Sequence, residues 1–129
     1  MRKGFLLLAA LSGFMAVAFG AFGSHGLKHI ATPEMIAIFN LGVEYQFYHT
    51  FALIAVAFSG HWLQSRLIDW AGYLFIVGIL LFSGSLYLYA LLGTKWSGPI
   101  TPLGGVCFLL GWLFIAVAVW RNRVVELDD

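Results

Sequence analysis

Four apolar stretches, roughly Gly4 to Phe22, Tyr45 to Leu63, Trp70 to Leu92 and Gly104 to Trp120, leave this chain few ways to fold. Each is close to the ~20 residues a helix needs to cross ~30 Å of hydrocarbon. Together they take up most of the 129 residues, so little chain remains for a soluble domain. Only 10% of the residues are charged, against about 25% in an ordinary soluble domain. The sequence therefore predicts an all-α integral membrane four-helix bundle, one transmembrane domain over residues 1–129. Its helices alternate up-down-up-down.

The orientation follows from lysine and arginine. With four spans, the N-terminus, the middle loop and the C-terminus share one side and carry Arg2, Lys3, Arg66, Arg121 and Arg123. The other two loops carry only Lys28 and Lys95. Five against two places both termini in the cytoplasm. Met1-Arg2-Lys3 before an apolar run resembles a secretory signal peptide, but the run is long enough to span and is expected to stay as the first helix. Trp62 and Trp70 flank the short cytoplasmic link at membrane-interface positions. A formal net charge of +1 with no basic run gives nucleic acid no purchase. The one cysteine, Cys107, lies within the fourth span and reads as a small core residue.

Local signals fill in the connections. Ala9, Gly13, Ala16 and Gly20 form two small-xxx-small pairs that let a neighbouring backbone approach the first span closely. Thr32-Pro33-Glu34 reads as a helix start, with a threonine cap, proline at the first helical position and an acid near the positive end of the dipole. A helix from Pro33 to about Trp62 would be ~45 Å long, more than the hydrocarbon core alone. Its opening turns, residues 33–44, are therefore expected outside or in the interface, with a bend near Gly42. Asp69 is a candidate cap for the third helix. In that span Ser83 lies under Tyr87 and Ser85 under Tyr89, at i,i+4 spacing. Thr101-Pro102 repeats the Thr-Pro start and launches the fourth span. Leu11-Ser12-Gly13 and Phe82-Ser83-Gly84, each followed by a glycine-bearing loop and a Thr-Pro start, hint at two duplicated helical hairpins.

Chemistry concentrates in Tyr45-Gln46-Phe47-Tyr48-His49, where two tyrosines, an amide and an imidazole enter the second span. Polar groups there are costly unless they find partners. The candidate polar cluster is His25, Tyr45, Gln46, His49, Ser83, Ser85, Tyr87, Tyr89 and Thr101, either as a ligand pocket or as structure. His25 and His49 could share a metal or ligate haem, since neutral imidazole does both. Without accompanying cysteines or carboxylates, their expected role is structural, and no metal ligands are assigned. Glu44 could carry a proton or cation, but at the boundary it is more simply solvated or paired with Lys28 or Lys95. Tyr87 and Tyr89 with Ser83 and Ser85 could line a quinone or lipid-headgroup site, or form an ordinary aromatic belt. The serines lack a nucleophile elbow and a nearby acid, so no catalytic residue is assigned.

Four segments, AFGSHGLK at residues 21–28, YQFYH at 45–49, FSGSLYLYALLG at 82–93 and GPITPLGG at 98–105, resemble the family called domain of unknown function 423. Its animal members are named transmembrane protein 256. The resemblance covers essentially the whole chain. Ser24 stands where the family usually has alanine, and Phe47 where methionine is frequent. The resemblance implies a small multi-pass protein of the bacterial inner membrane and brings no established activity. With the termini inside, all four segments converge on the outer leaflet. The expected role is non-enzymatic: a structural or accessory protein that meets the lipid bilayer and a homo-oligomer or larger membrane complex. The alternative is an outer-leaflet pocket for a lipid, quinone or small polar ligand. A haem- or metal-binding redox protein and a transporter stand further off.

Overall fold

The structure is a computed structural model and describes residues 2–121. Arg123, counted above for orientation, lies outside the described residues. Among those residues the chain is helical throughout, without strands. Helix α1 spans Lys3–Ser24 and α2 spans Pro33–Ser59. A third rod comprises α3 (Arg66–Gly78), a five-residue π turn (Ile79–Ser83) and α4 (Gly84–Leu92). Helix α5 spans Ile100–Arg121. Three segments, Lys3–His29, Arg66–Leu92 and Lys95–Arg121, are long and apolar enough to cross a membrane. Helix α2 is as long as these at 27 residues, but Glu34, Asn40, Glu44, Gln46 and His49 lower its hydropathy. It holds the polar cluster.

The helix ends follow side-chain chemistry. The Thr32 hydroxyl accepts from the Met35 backbone N–H and Pro33 occupies the first turn, as the Thr-Pro signal predicts. The helix then continues unbroken from Pro33 to Ser59, through Gly42. Asp69 does not cap α3. Ser65 does, accepting from the Leu67 N–H, while Asp69 pairs with the Arg2 guanidinium. The carboxylate lies too far into the helix to reach its free N–H groups, and an arginine is at hand. Helix α4 ends at Gly93, whose φ of +66° is the left-handed conformation glycine adopts without penalty. The last helix starts at Ile100, so Thr101 and Pro102 already lie within its first turn.

Each helix packs antiparallel against its neighbour in the chain. Along α1 and α2, Arg2 N–H meets the Ala57 carbonyl, Ser12 meets Thr50, and Gly23 meets Asn40 and Phe39. Along α2 and the third rod, His49 faces Phe75, Tyr45 faces Phe82, and Gly42 faces Leu86 and Tyr87. Along the third rod and α5, Phe75 packs on Gly111, Phe108 on Gly78, and Phe82 on Gly104. Phe75 and Phe108 set their rings into glycine gaps and the Phe82 backbone closes on Gly104, where packing rather than water exclusion joins helices in lipid. The larger core cluster contains Leu53, Val56, Ile68, Phe75 and Phe108, and a smaller one joins Leu27, Phe39, Val43 and Ala90.

Candidate functional site

The polar side chains form two groups on adjoining sides of α2. On the α1 flank, Gln46 Nε2 donates to the Ser12 carbonyl at 2.9 Å, and Gln46 Oε1 accepts from the Tyr87 hydroxyl at 2.6 Å. The Ser12 and Thr50 hydroxyls meet at 2.7 Å. Glutamine thus ties three helices through one amide, with donor and acceptor ends both in use. Gln46 and Thr50 are each 3% exposed. Helical spacing explains the pair: residues four apart on α2 present the same face to α1.

On the other flank sits His49. Its ring stacks on Phe108, with centroids 3.5 Å apart and planes 7° from parallel. Nδ1 lies 2.8 Å from the Tyr45 carbonyl, and Trp112 Nε1–H donates to Nε2 at 3.1 Å. Both contacts fit one neutral tautomer, with Nδ1–H donating and Nε2 accepting. The imidazole is enclosed by Phe75, Phe108, Trp112 and Tyr45 and has no free nitrogen. Closer to the α4 end, the buried Ser83 hydroxyl donates to the Gly42 carbonyl at 2.7 Å. The Ser85 and Thr101 hydroxyls bond to each other, joining α4 to α5.

Of the nine candidate residues, Gln46 and Tyr87 are bonded directly, and Ser85 is bonded to Thr101. Tyr45 packs against Tyr48, Phe82 and His49. Ser83 is tied to α2 and also meets the Tyr87 side chain, the neighbour its spacing predicts. His25 is not brought in. It is exposed at the end of α1, near the level of Asn40, and His49 lies nine residues further along α2, about 14 Å away. A metal or haem shared by these two histidines does not fit that separation or the occupied nitrogens of His49. Among the described residues no three His, Cys, Asp or Glu side chains converge as a metal site. Tyr89 is half-buried and makes no side-chain hydrogen bond among the described residues. Glu44 is exposed and paired with neither Lys28 nor Lys95.

The cluster has three members that sequence reasoning did not include: Ser12, Thr50 and Trp112. Thr50 had a signal, being four residues from Gln46. Ser12 and Trp112 lie on other helices, and only the packing reveals them as partners. A groove of about 760 Å³ opens beside Gln46, between α1 and α4.

The comparisons with known proteins agree with this picture of a small membrane protein. The family model "Protein of unknown function (DUF423)" matches residues 19–105. The chain is 41% identical over 120 residues to a UPF0382 membrane protein of Staphylococcus aureus (strain bovine RF122 / ET3-1), covering 92% of this chain and 97% of that one. A UPF0382 membrane protein of Haemophilus influenzae is 40% identical over 127 residues, 95% of this chain and 98% of its own. The UPF0382 membrane protein YwdK of Bacillus subtilis is 41% identical over 117 residues, 90% of this chain and 95% of its own. No solved structure matches. With the family model spanning most of the chain and these relatives aligned nearly end to end, the chain belongs to the DUF423 family of small membrane proteins.

Proposed function

We propose that the chain is a non-enzymatic structural or accessory protein of a bacterial inner-membrane assembly. It crosses the bilayer four times, up-down-up-down, with both termini in the cytoplasm. One observation carries the reading: the buried polar side chains of α2 and of the third rod are spent on other helices. Gln46, Thr50, Ser83, Ser85 and His49 each bond to a side chain or carbonyl of a different element, so none is left to act on a substrate. Such pairing makes a fourth span out of α2, because a polar group in hydrocarbon is tolerated when its partner is inside the protein. The same pairing takes away the donors that a small polar ligand would need.

A protein of this kind works through its outer faces. Phe14 and Leu109, 76% and 71% exposed, stand on α1 and α5 and meet lipid or another protein. A photoreactive residue at either position, activated in intact membranes at native abundance, tests the role. Discrete crosslinked species with another protein or a second copy are expected. A chain that stays monomeric from both positions would refute the assembly role.

A further inference from the structure

The groove between α1 and α4 has α2 as its floor. Leu8, Leu11 and Met15 form one wall, and Ile76, Leu80 and Leu88 the other. Its polar atoms are already taken: Gln46 by Ser12 and Tyr87, Ser85 by Thr101, Ser97 by the Thr94 carbonyl. What the groove offers an occupant is hydrocarbon contact. Along the third rod its lining runs from Ile76 to Leu92, about 24 Å at 1.5 Å per residue. The groove's 760 Å³ falls within the ~300–1,000 Å³ of small-ligand sites. A slot of that length and volume takes an extended hydrocarbon chain.

Ser97, in the turn Lys95–Ser97, lines its far end. Lys95, two residues before it in that turn, is exposed and has no carboxylate partner among the described residues. An apolar slot with an unpaired cation in the turn at its end matches the two halves of one kind of molecule. We infer that the groove holds an acyl chain of an anionic phospholipid, with the headgroup phosphate at Lys95. The proposed orientation matters here only for the leaflet, which would be the outer one. Hydrocarbon has no reason to prefer protein over lipid by burial alone, so retention comes from packing in a fixed slot and from charge. A lysine near the membrane surface favours an anionic headgroup about fivefold.

Gly84 supplies the test, because it lines the groove and a Cβ built on it meets nothing within 4 Å. Gly84→Leu therefore starts a side chain in open space on the groove's lining, with a better helix former. Gly4 is equally open but lies outside the groove, so Gly4→Leu is the control. Native mass spectrometry would be run on protein released from nanodiscs of equimolar phosphatidylglycerol and phosphatidylcholine. Wild type and Gly4→Leu are expected to retain a phospholipid, enriched about fivefold in phosphatidylglycerol. Gly84→Leu, at unchanged helicity, should lose most of that retention, because the fixed slot that packs the chain is filled. Lys95→Gln should keep the lipid and lose the headgroup preference. Retention unaffected by Gly84→Leu would overturn the assignment. So would a second copy, or a neutral isoprenoid from native membranes, held in place of phospholipid. The crosslinking result above is independent of each of these outcomes.

Discussion

Gly104 and Gly105 are adjacent on α5 and should respond to alanine in opposite directions. A Cβ on Gly105 finds its nearest neighbour, Phe82 Cδ2, at 4.0 Å, which is ordinary contact. Gly105→Ala should therefore keep the helix-propensity gain of up to ~1 kcal/mol. A Cβ on Gly104 instead runs into the Phe82 backbone nitrogen, with Phe82 Cβ at 2.7 Å and Cα at 2.8 Å. Two of those three atoms are backbone and cannot rotate away, so α5 must move off the π turn. Overpacking of this kind costs ~1–3 kcal/mol before any gain in propensity. The propensity gain is common to both, so the two variants should differ by about 1–3 kcal/mol. Moving α5 would also loosen the Ser85–Thr101 bond and the stack of His49 on Phe108. Reversible unfolding in mixed detergent micelles, followed by helicity and tryptophan fluorescence, measures the difference. If the two variants agree within ~0.5 kcal/mol, the close approach of α5 to Phe82 is wrong.

Two further outcomes follow from the polar contacts. Gln46→Leu and Tyr87→Phe, alone and combined, should show a coupling of ~0.6–1.7 kcal/mol in the same unfolding assay, the range for hydrogen bonds between membrane helices. Additive effects would mean that the amide does not join α2 to α4. His49→Ala removes a stacked, doubly hydrogen-bonded ring and should cost ~2–4 kcal/mol. His61→Ala, on an exposed side chain in the loop after α2, should stay within ~0.5 kcal/mol, and equal losses would remove the special place given to His49.

Helical content was legible because apolar run length and the Thr32-Pro33 start are local signals, although Thr101-Pro102 proved to lie inside its helix. So were Gln46, Tyr87, Ser85 and Thr101, whose polarity inside apolar runs demands a partner. What the sequence could not supply was the pairing. Gln46 finds Ser12 across 34 positions and His49 finds Trp112 across 63, and no periodicity within one helix encodes such distances. Asp69 was read as a cap because local rules favour an acid in a first turn, yet Arg2 claims it from another helix. The π turn at Ile79–Ser83 was equally hidden. Spacing put each serine under a tyrosine; Ser83 does meet Tyr87 while also bonding to Gly42, whereas Ser85 turns to Thr101 on α5.

The central claim is that α2 crosses the membrane as a fourth span, its polar side chains satisfied from within. Cysteine labelling tests it most directly, on a Cys107→Ala background. Lys28 and Gln64 are exposed and stand before and after α2. In right-side-out vesicles, a membrane-impermeant thiol reagent should label Lys28→Cys at once and Gln64→Cys only after permeabilisation. Labelling of both from the same side would show that α2 does not cross, and the four-span account would fall.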